Sequence, residues 1–266
     1  MRRLPTGMYL PGDSVIHRLD SRIKLLALFI VVVSILFINS LIGYGIMVAF
    51  MAVAVFLSGI SLKVALNSVR KLSWFFLLIF LMNTLFYSTE NAWFSFWKVT
   101  PSPAGLMQGL EVVLRVALAL IASNIMTSTT APMEITNAIE SLISPLKLIG
   151  IPTGQIAMIL SIAIQFIPTL SEETDTIRKA QMARGARFDS TKMTEKAEAV
   201  MPLVVPIFLA AFKRADELSI AMEARGYRSA SGRTRKKFDP LKYQDMSALA
   251  VVIAICAVLL IIRLKT

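Results

Sequence analysis

The chain has 266 residues, 56% of them hydrophobic and 17% charged, with a mean hydropathy of +0.67, an apolar share above the roughly half usual for soluble domains. A soluble globular enzyme is excluded and a bilayer is the expected surrounding. The net charge of +11 does not point to nucleic acid, because 15 of the 28 Lys and Arg fall within residues 171–245, interleaved with 11 acids, the pattern of a cytoplasmic segment rather than a phosphate-binding stripe.

Residues 1–24 are polar and hold five Lys or Arg, and residues 25–62 then carry no charge at all. That run is far longer than a signal-peptide core, so no cleaved signal is expected. At about 20 apolar residues per crossing it holds two helices, roughly 24–38 and 41–60, with Asn39, Ser40 and Gly43 as turn formers between them. A third span follows Arg70 and Lys71 and ends near Tyr87; Trp74 suits one membrane interface, and Trp93, Phe94, Phe96 and Trp97 suit the other as an aromatic belt. Pro101 and Pro103 break the chain before a fourth span, roughly 105–127. The uncharged residues 246–262 make a fifth, and it contains the single cysteine, Cys256, so no intrachain disulfide is possible.

Lys and Arg are in excess on cytoplasmic flanks. With the N-terminus inside, residues 1–24 supply five, 63–71 three and 128–245 sixteen, against Lys98, Arg263 and Lys265 outside. The expected fold is an all-α integral membrane protein of about five transmembrane helices in the cell membrane, N-terminus cytoplasmic. It divides into 1–127 (four spans), 128–245 (a cytoplasmic domain with two long helices) and 246–266 (the last span).

Hydropathy alone misleads in the middle. Residues 148–171 are uncharged and long enough to cross, but they carry Pro152, Gln155, Gln165 and Pro168 and run into Glu172, Glu173 and Asp175 without a turn signal. The expectation is one long helix, roughly 153–184, lying along the membrane face and then leaving it. A second, roughly 195–225, repeats the design, with Pro202 and Pro206 as kink points.

Both helices end in the same eight-residue pattern, Ala180-Gln-Met-Ala-Arg-Gly-Ala-Arg187 and Ala221-Met-Glu-Ala-Arg-Gly-Tyr-Arg228, 41 residues apart. Alanines at i and i+3 leave a smooth face for close approach. Arg is a planar donor fork, and the Gly after it permits a left-handed stop. A lone copy reads equally well as a helix cap complementing the dipole. Two copies imply two sockets, and hence a partner that is a dimer or pseudo-dimer.

The paired tips, Ala183-Arg184-Gly185 and Ala224-Arg225-Gly226, resemble the coupling motifs of the T component of energy-coupling factor transporters, a division of the ABC importers. The N-terminal segment His17-Arg-Leu-Asp-Ser-Arg-Ile-Lys24 is similar to that family's H-x-L-D-P-R-x-K, with Ser21 for the usual Pro. The resemblance implies that Arg184 and Arg225, flanked by Arg187 and Arg228, dock into two cytosolic ABC ATPases. The two long helices would then drive a small membrane subunit that binds a vitamin or metal ion. By the same resemblance this chain is not an enzyme and needs no cofactor of its own, ATP and Mg being bound by the ATPases.

Ala157, Ser161 and Gln165 share a helix face suited to close packing and an interhelical hydrogen bond, a candidate contact for the substrate-binding subunit. Glu111 and Arg115, i and i+4 in the fourth span, read first as a local ion pair; a self-sufficient secondary transporter using them is the alternative. His17 has no second histidine to share a metal with. Arg233, Arg235, Lys236 and Lys237 are explained by topology and anionic lipid. Nucleotide-binding, zinc-protease and serine-hydrolase motifs are missing.

Overall fold

The computed structural model describes residues 9–87, 102–150, 152–186, 188, 193–227 and 240–265; the side chains of 146–148, 195–199 and 265 are outside the description. The expected aromatic belt at Trp93–Trp97, the flanking Arg187 and Arg228, and the basic run from Arg233 to Lys237 all lie outside the described residues. The chain forms two compact units, residues 1–138 with 239–266, and residues 139–238. All regular structure among the described residues is helical.

In the first unit, α1 (Ser21–Leu36) and α2 (Leu41–Ser58) are the two halves of the long uncharged run. The turn between them ends at Ser40. Gly43, expected in that turn, lies inside α2, where its missing side chain matters: a Cβ there would stand 2.9 Å from Ile38 Cγ2 and 3.6 Å from a Leu259 methyl. Glycine is tolerated in an apolar helix when it admits a neighbour this closely. α2 stops at Gly59, whose φ of 66° is the left-handed cap. Two short helices follow, α3 (Leu62–Ala65) and α4 (Asn67–Lys71), before α5 (Ser73–Phe86).

α6 (Pro103–Thr129) is the central helix of this unit, packed against α1, α2, α3, α4 and α5. Pro103, expected to break the chain, instead opens the helix. Proline's fixed φ suits the first turn and its missing N–H is needed by no partner there, while the buried Ser102 hydroxyl accepts from Gly105 N at 3.1 Å. Gly105 and Gly109 then lie against α5. A Cβ on Gly105 would be 2.7 Å from Asn83 O and 2.9 Å from Thr84 O, and one on Gly109 3.1 Å from Phe80 O. The G-x-x-x-G spacing thus brings two backbones together.

The last helix, α10 (Tyr243–Lys265), packs on α1. The core joins Val31 and Ile35 of α1, Tyr44, Met47, Met51 and Val55 of α2, Leu118, Ala122 and Ile125 of α6, and Val252, Cys256 and Leu259 of α10. Most other large apolar side chains face outward, including Phe29 at 67% and Phe56 at 86% exposure, as lipid-facing positions do. Trp74 and Tyr243 are exposed at the first turns of α5 and α10, positions suited to a membrane interface.

The chain leaves this unit through α7 (Pro132–Ile143) and a short 3₁₀ turn, Ser144–Ile149. The second unit is built on two long helices, α8 (Thr153–Ala183) and α9 (Met193–Ala224), which run through Pro168 and through Pro202 and Pro206 respectively. Among the described residues, four helices are long and apolar enough to cross a membrane: α2, α6, α8 and α10. α1 has 16 residues and α5 has 14, so each is shorter than the roughly 20 of a full crossing.

Candidate functional site

The two helix tips close with the same backbone device. At the first, Gly185 N bonds Met182 O (3.0 Å) and Ala186 N bonds Gln181 O (3.0 Å); at the second, Gly226 N bonds Glu223 O (2.8 Å) and Tyr227 N bonds Met222 O (3.0 Å). These paired bonds define a Schellman cap, with Gly185 at φ 92° and Gly226 at φ 68°. Among the described residues, nothing beyond the chain neighbours lies within 4 Å of a Cβ built on either glycine. What demands glycine is therefore the left-handed conformation and not lack of room.

Ala183, Arg184 and Gly185 are all exposed, and so are Ala224, Arg225 and Gly226. Each arginine is the last residue before the left-handed stop, its guanidinium presented at a narrow end flanked by alanine. The chain after the first tip turns back so that Arg178 lies 5.6 Å from the Phe188 ring, a cation–π contact that braces it.

One pair ties the two helices together. Arg214 of α9 donates to Glu173 of α8 at 2.7 Å, and these residues are 41 apart, the spacing of the tip repeat. The helices therefore meet at equivalent positions, each 11 residues before its arginine (184 − 173 and 225 − 214). At about 1.5 Å per residue, each tip stands about 16 Å beyond the meeting point. α8 and α9 touch less extensively than the far shorter α5 packs on α6.

The three residues of the Ala157, Ser161 and Gln165 face differ in exposure. Ala157 is buried, Ser161 Oγ returns to Ala157 O of its own helix at 2.8 Å, and only Gln165 is exposed. Serine back-bonding within an apolar helix occupies the hydroxyl donor and leaves the oxygen able to accept. The outward apolar residues of α8 include Ile156, Ile159, Leu160 and Ile167, and α9 presents Met201, Val205, Phe208 and Phe212.

The expected Glu111–Arg115 ion pair is corrected: it does not form among the described residues. The Arg115 guanidinium donates to Ile38 O and to Tyr44 Oη, both at 3.1 Å, and so joins α6 to the α1–α2 turn. A carbonyl past a helix C-terminus attracts a cation, and sequence spacing within α6 cannot reveal that carbonyl. Three further ties were not anticipated. Asn124 Nδ2 caps α3 through Val64 O (2.7 Å) and Ala65 O (3.0 Å). Lys24 Nζ donates to His17 O and Thr129 O, both at 3.1 Å. Asp20 caps α1 by accepting from Arg22 N at 2.8 Å, and its own N–H donates to the buried Asp245 at 2.8 Å. The His17-x-Leu-Asp20-x-Arg22-x-Lys24 segment is thus a clasp holding α1, α6 and α10 at one end of the first unit. Among the described residues no cluster of metal-ligating side chains occurs.

The CbiQ family model, described as cobalt transport protein, matches residues 12–236. An energy-coupling factor transporter transmembrane protein, EcfT, of Acidaminococcus fermentans is 42% identical over 255 residues, 93% of this chain and 94% of its own. EcfT 1 of Listeria monocytogenes is 40% identical over 263 residues, 99% of each chain, and EcfT of Bacillus subtilis 37% over 257, 97% of each. An all-helical membrane chain related to these proteins along nearly its full length belongs to the CbiQ/EcfT family, the transmembrane components of energy-coupling factor transporters.

Proposed function

We propose that this chain is the non-catalytic coupling subunit of an ATP-driven importer. Arg184 and Arg225 each pair with carboxylates in a groove on one of two cytosolic ABC ATPases, with Arg187 and Arg228 in support. α8 and α9 carry the ATP-driven motion to a small substrate-binding membrane subunit that takes up a vitamin or metal ion. ATP and Mg are held by the ATPases. The chain sits in the cell membrane with its N-terminus cytoplasmic and crosses by α1, α2, α5, α6 and α10.

The observation that carries this reading is the duplicated tip: two exposed arginines, each on an identical Schellman cap, each 11 residues from the point where the helices meet. A cap that served only its own helix would need neither the repeated register nor the exposed fork. A secondary transporter using Glu111 and Arg115 is disfavoured by the engagement of Arg115 with Ile38 and Tyr44.

The test is ATPase copurification together with radiolabelled substrate uptake in proteoliposomes. Leaving a buried charge without its partner typically costs about 2–5 kcal/mol. Each single Arg→Ala should therefore weaken the complex, and Arg184→Ala with Arg225→Ala should abolish uptake and detach the ATPases. Lysine at both tips should rescue only in part, since it lacks the bidentate fork. Arg233→Ala with Arg235→Ala should change little. Wild-type uptake by the double tip variant would return the repeat to a pair of helix caps.

A further inference from the structure

The first unit has an open-sided pocket of about 790 Å³ lined by α1, α2, α6, α10 and the N-terminal segment. That volume lies within the 300–1,000 Å³ typical of small-molecule sites. Its walls are graded. Along most of its length they are apolar, with Val31, Phe50, Ala54 and Val252 among them, while the polar lining residues Arg18, Lys24, Thr129, Gln244 and Ser247 gather at the Asp20 end. Along the helices the cavity runs from Leu57 to Ile46 on α2 and from Gln244 to Ile255 on α10, 11 residues in each case. At about 1.5 Å per residue that is roughly 16 Å, about half of a 30 Å hydrocarbon core and hence the depth of one leaflet.

Lys24 stands at the polar end with incomplete partners. It is 6% exposed, and two of its three donors go to His17 O and Thr129 O. The carboxylates of Glu134, Asp20 and Asp245 are near, but among the described residues none forms an ion pair with it. Asp245 is already committed, accepting from Asp20 N and Lys242 N, and Asp20 from Arg22 N. Arg18, exposed, adds a second cation at the same mouth. An apolar slot one leaflet deep, with Lys24 and Arg18 at one end and the Asp20 and Asp245 carboxylates there already holding backbone N–H donors, suits a diacyl lipid whose phosphate meets the two cations.

We propose that this cavity binds one anionic phospholipid of the leaflet at the Asp20 end, its acyl chains along α1, α2, α6 and α10 and its phosphate facing Lys24 and Arg18. The lipid completes the clasp, because the phosphate satisfies the remaining Lys24 donor while the tails fill a space that none of the described side chains fills.

The full chain, purified in a mild nonionic detergent, would be titrated with phosphatidylglycerol or phosphatidylcholine of the same acyl chains, and bound lipid counted by native mass spectrometry. Wild type should retain one phosphatidylglycerol about tenfold more tightly than phosphatidylcholine, the order expected when two cations meet one headgroup. Arg18→Gln, on an exposed side chain, should narrow that preference, and Lys24→Met should remove it. Ala54→Phe with Ala248→Phe fills the slot while leaving both cations in place, and should lose both lipids. Equal retention of the two lipids by wild type would overturn the headgroup assignment. Undiminished phosphatidylglycerol on the filled variant would mean that the basic surface alone holds it, and retention of neither lipid by wild type would leave the slot to an apolar partner; either result overturns the proposal.

Discussion

At the scale of single residues, the tip glycines show how sequence chemistry becomes geometry. Any side chain at φ 92° or 68° meets the backbone sterically, at a cost of about 1–2 kcal/mol per residue, and β-branching adds to it. Gly185→Val and Gly226→Val should therefore unravel the last turn of α8 and α9 without touching membrane insertion. Hydrogen–deuterium exchange should rise at residues 181–186 and 222–227, and ATPase copurification should fall. Unchanged exchange would mean that the left-handed stop can be dispensed with. This much was legible because an Arg–Gly end after a helical run is a local signal. Arg115 was not legible, since its acceptors on Ile38 and Tyr44 lie 77 and 71 residues away, and the nearer Glu111 offered a plausible partner by spacing alone. The roles of Lys24 and Asp245 were hidden for the same reason: charged groups near a span read as topology signals until their carbonyl and N–H partners are in view.

At the scale of elements, the two long helices emerged within two residues of the expected ends. An uncharged stretch running into acids with no turn former leaves only one continuous helix. The short helices α3 and α4 escaped, because the breaks at Leu66 and Leu72 carry neither Gly nor Pro. Packing between elements yields two sharp expectations. Gly105→Ala sets a methyl against backbone oxygens that cannot withdraw and should cost about 1–3 kcal/mol as overpacking. Gly45→Ala, with nothing within 4 Å, should be neutral or should raise stability; thermal unfolding of the two variants in detergent compares them directly. For the α8–α9 tie, Glu173→Arg or Arg214→Glu alone should weaken the unit by about 1 kcal/mol or less, given that both partners are about a third exposed. The charge-swapped double variant should recover most of that loss in a double-mutant cycle. Additive losses would show that the pair has no energetic coupling.

At the scale of the whole molecule, the family match over residues 12–236 takes in the clasp segment, the central helices and both tips. The membrane class was readable from composition alone. The number of crossings is less direct, since α8 meets the length and apolarity of a span while α1 and α5 fall short of one. Labelling with an impermeant thiol reagent in intact cells decides the orientation: in a Cys256→Ala background, Asn39→Cys should react from outside and Ser61→Cys should not. The reverse pattern would invert the proposed topology. The Glu173–Arg214 contact divides each long helix unequally, with 11 residues on the tip side and 20 and 21 on the other (173 − 153 and 214 − 193). Pro168, Pro202 and Pro206 all fall on the long arms, and the short arms contain none. Under the proposed coupling role, stiff helices pivoting at this contact would magnify a small swing of the tips about twofold at the far ends, with the prolines placing their compliance on the magnified side.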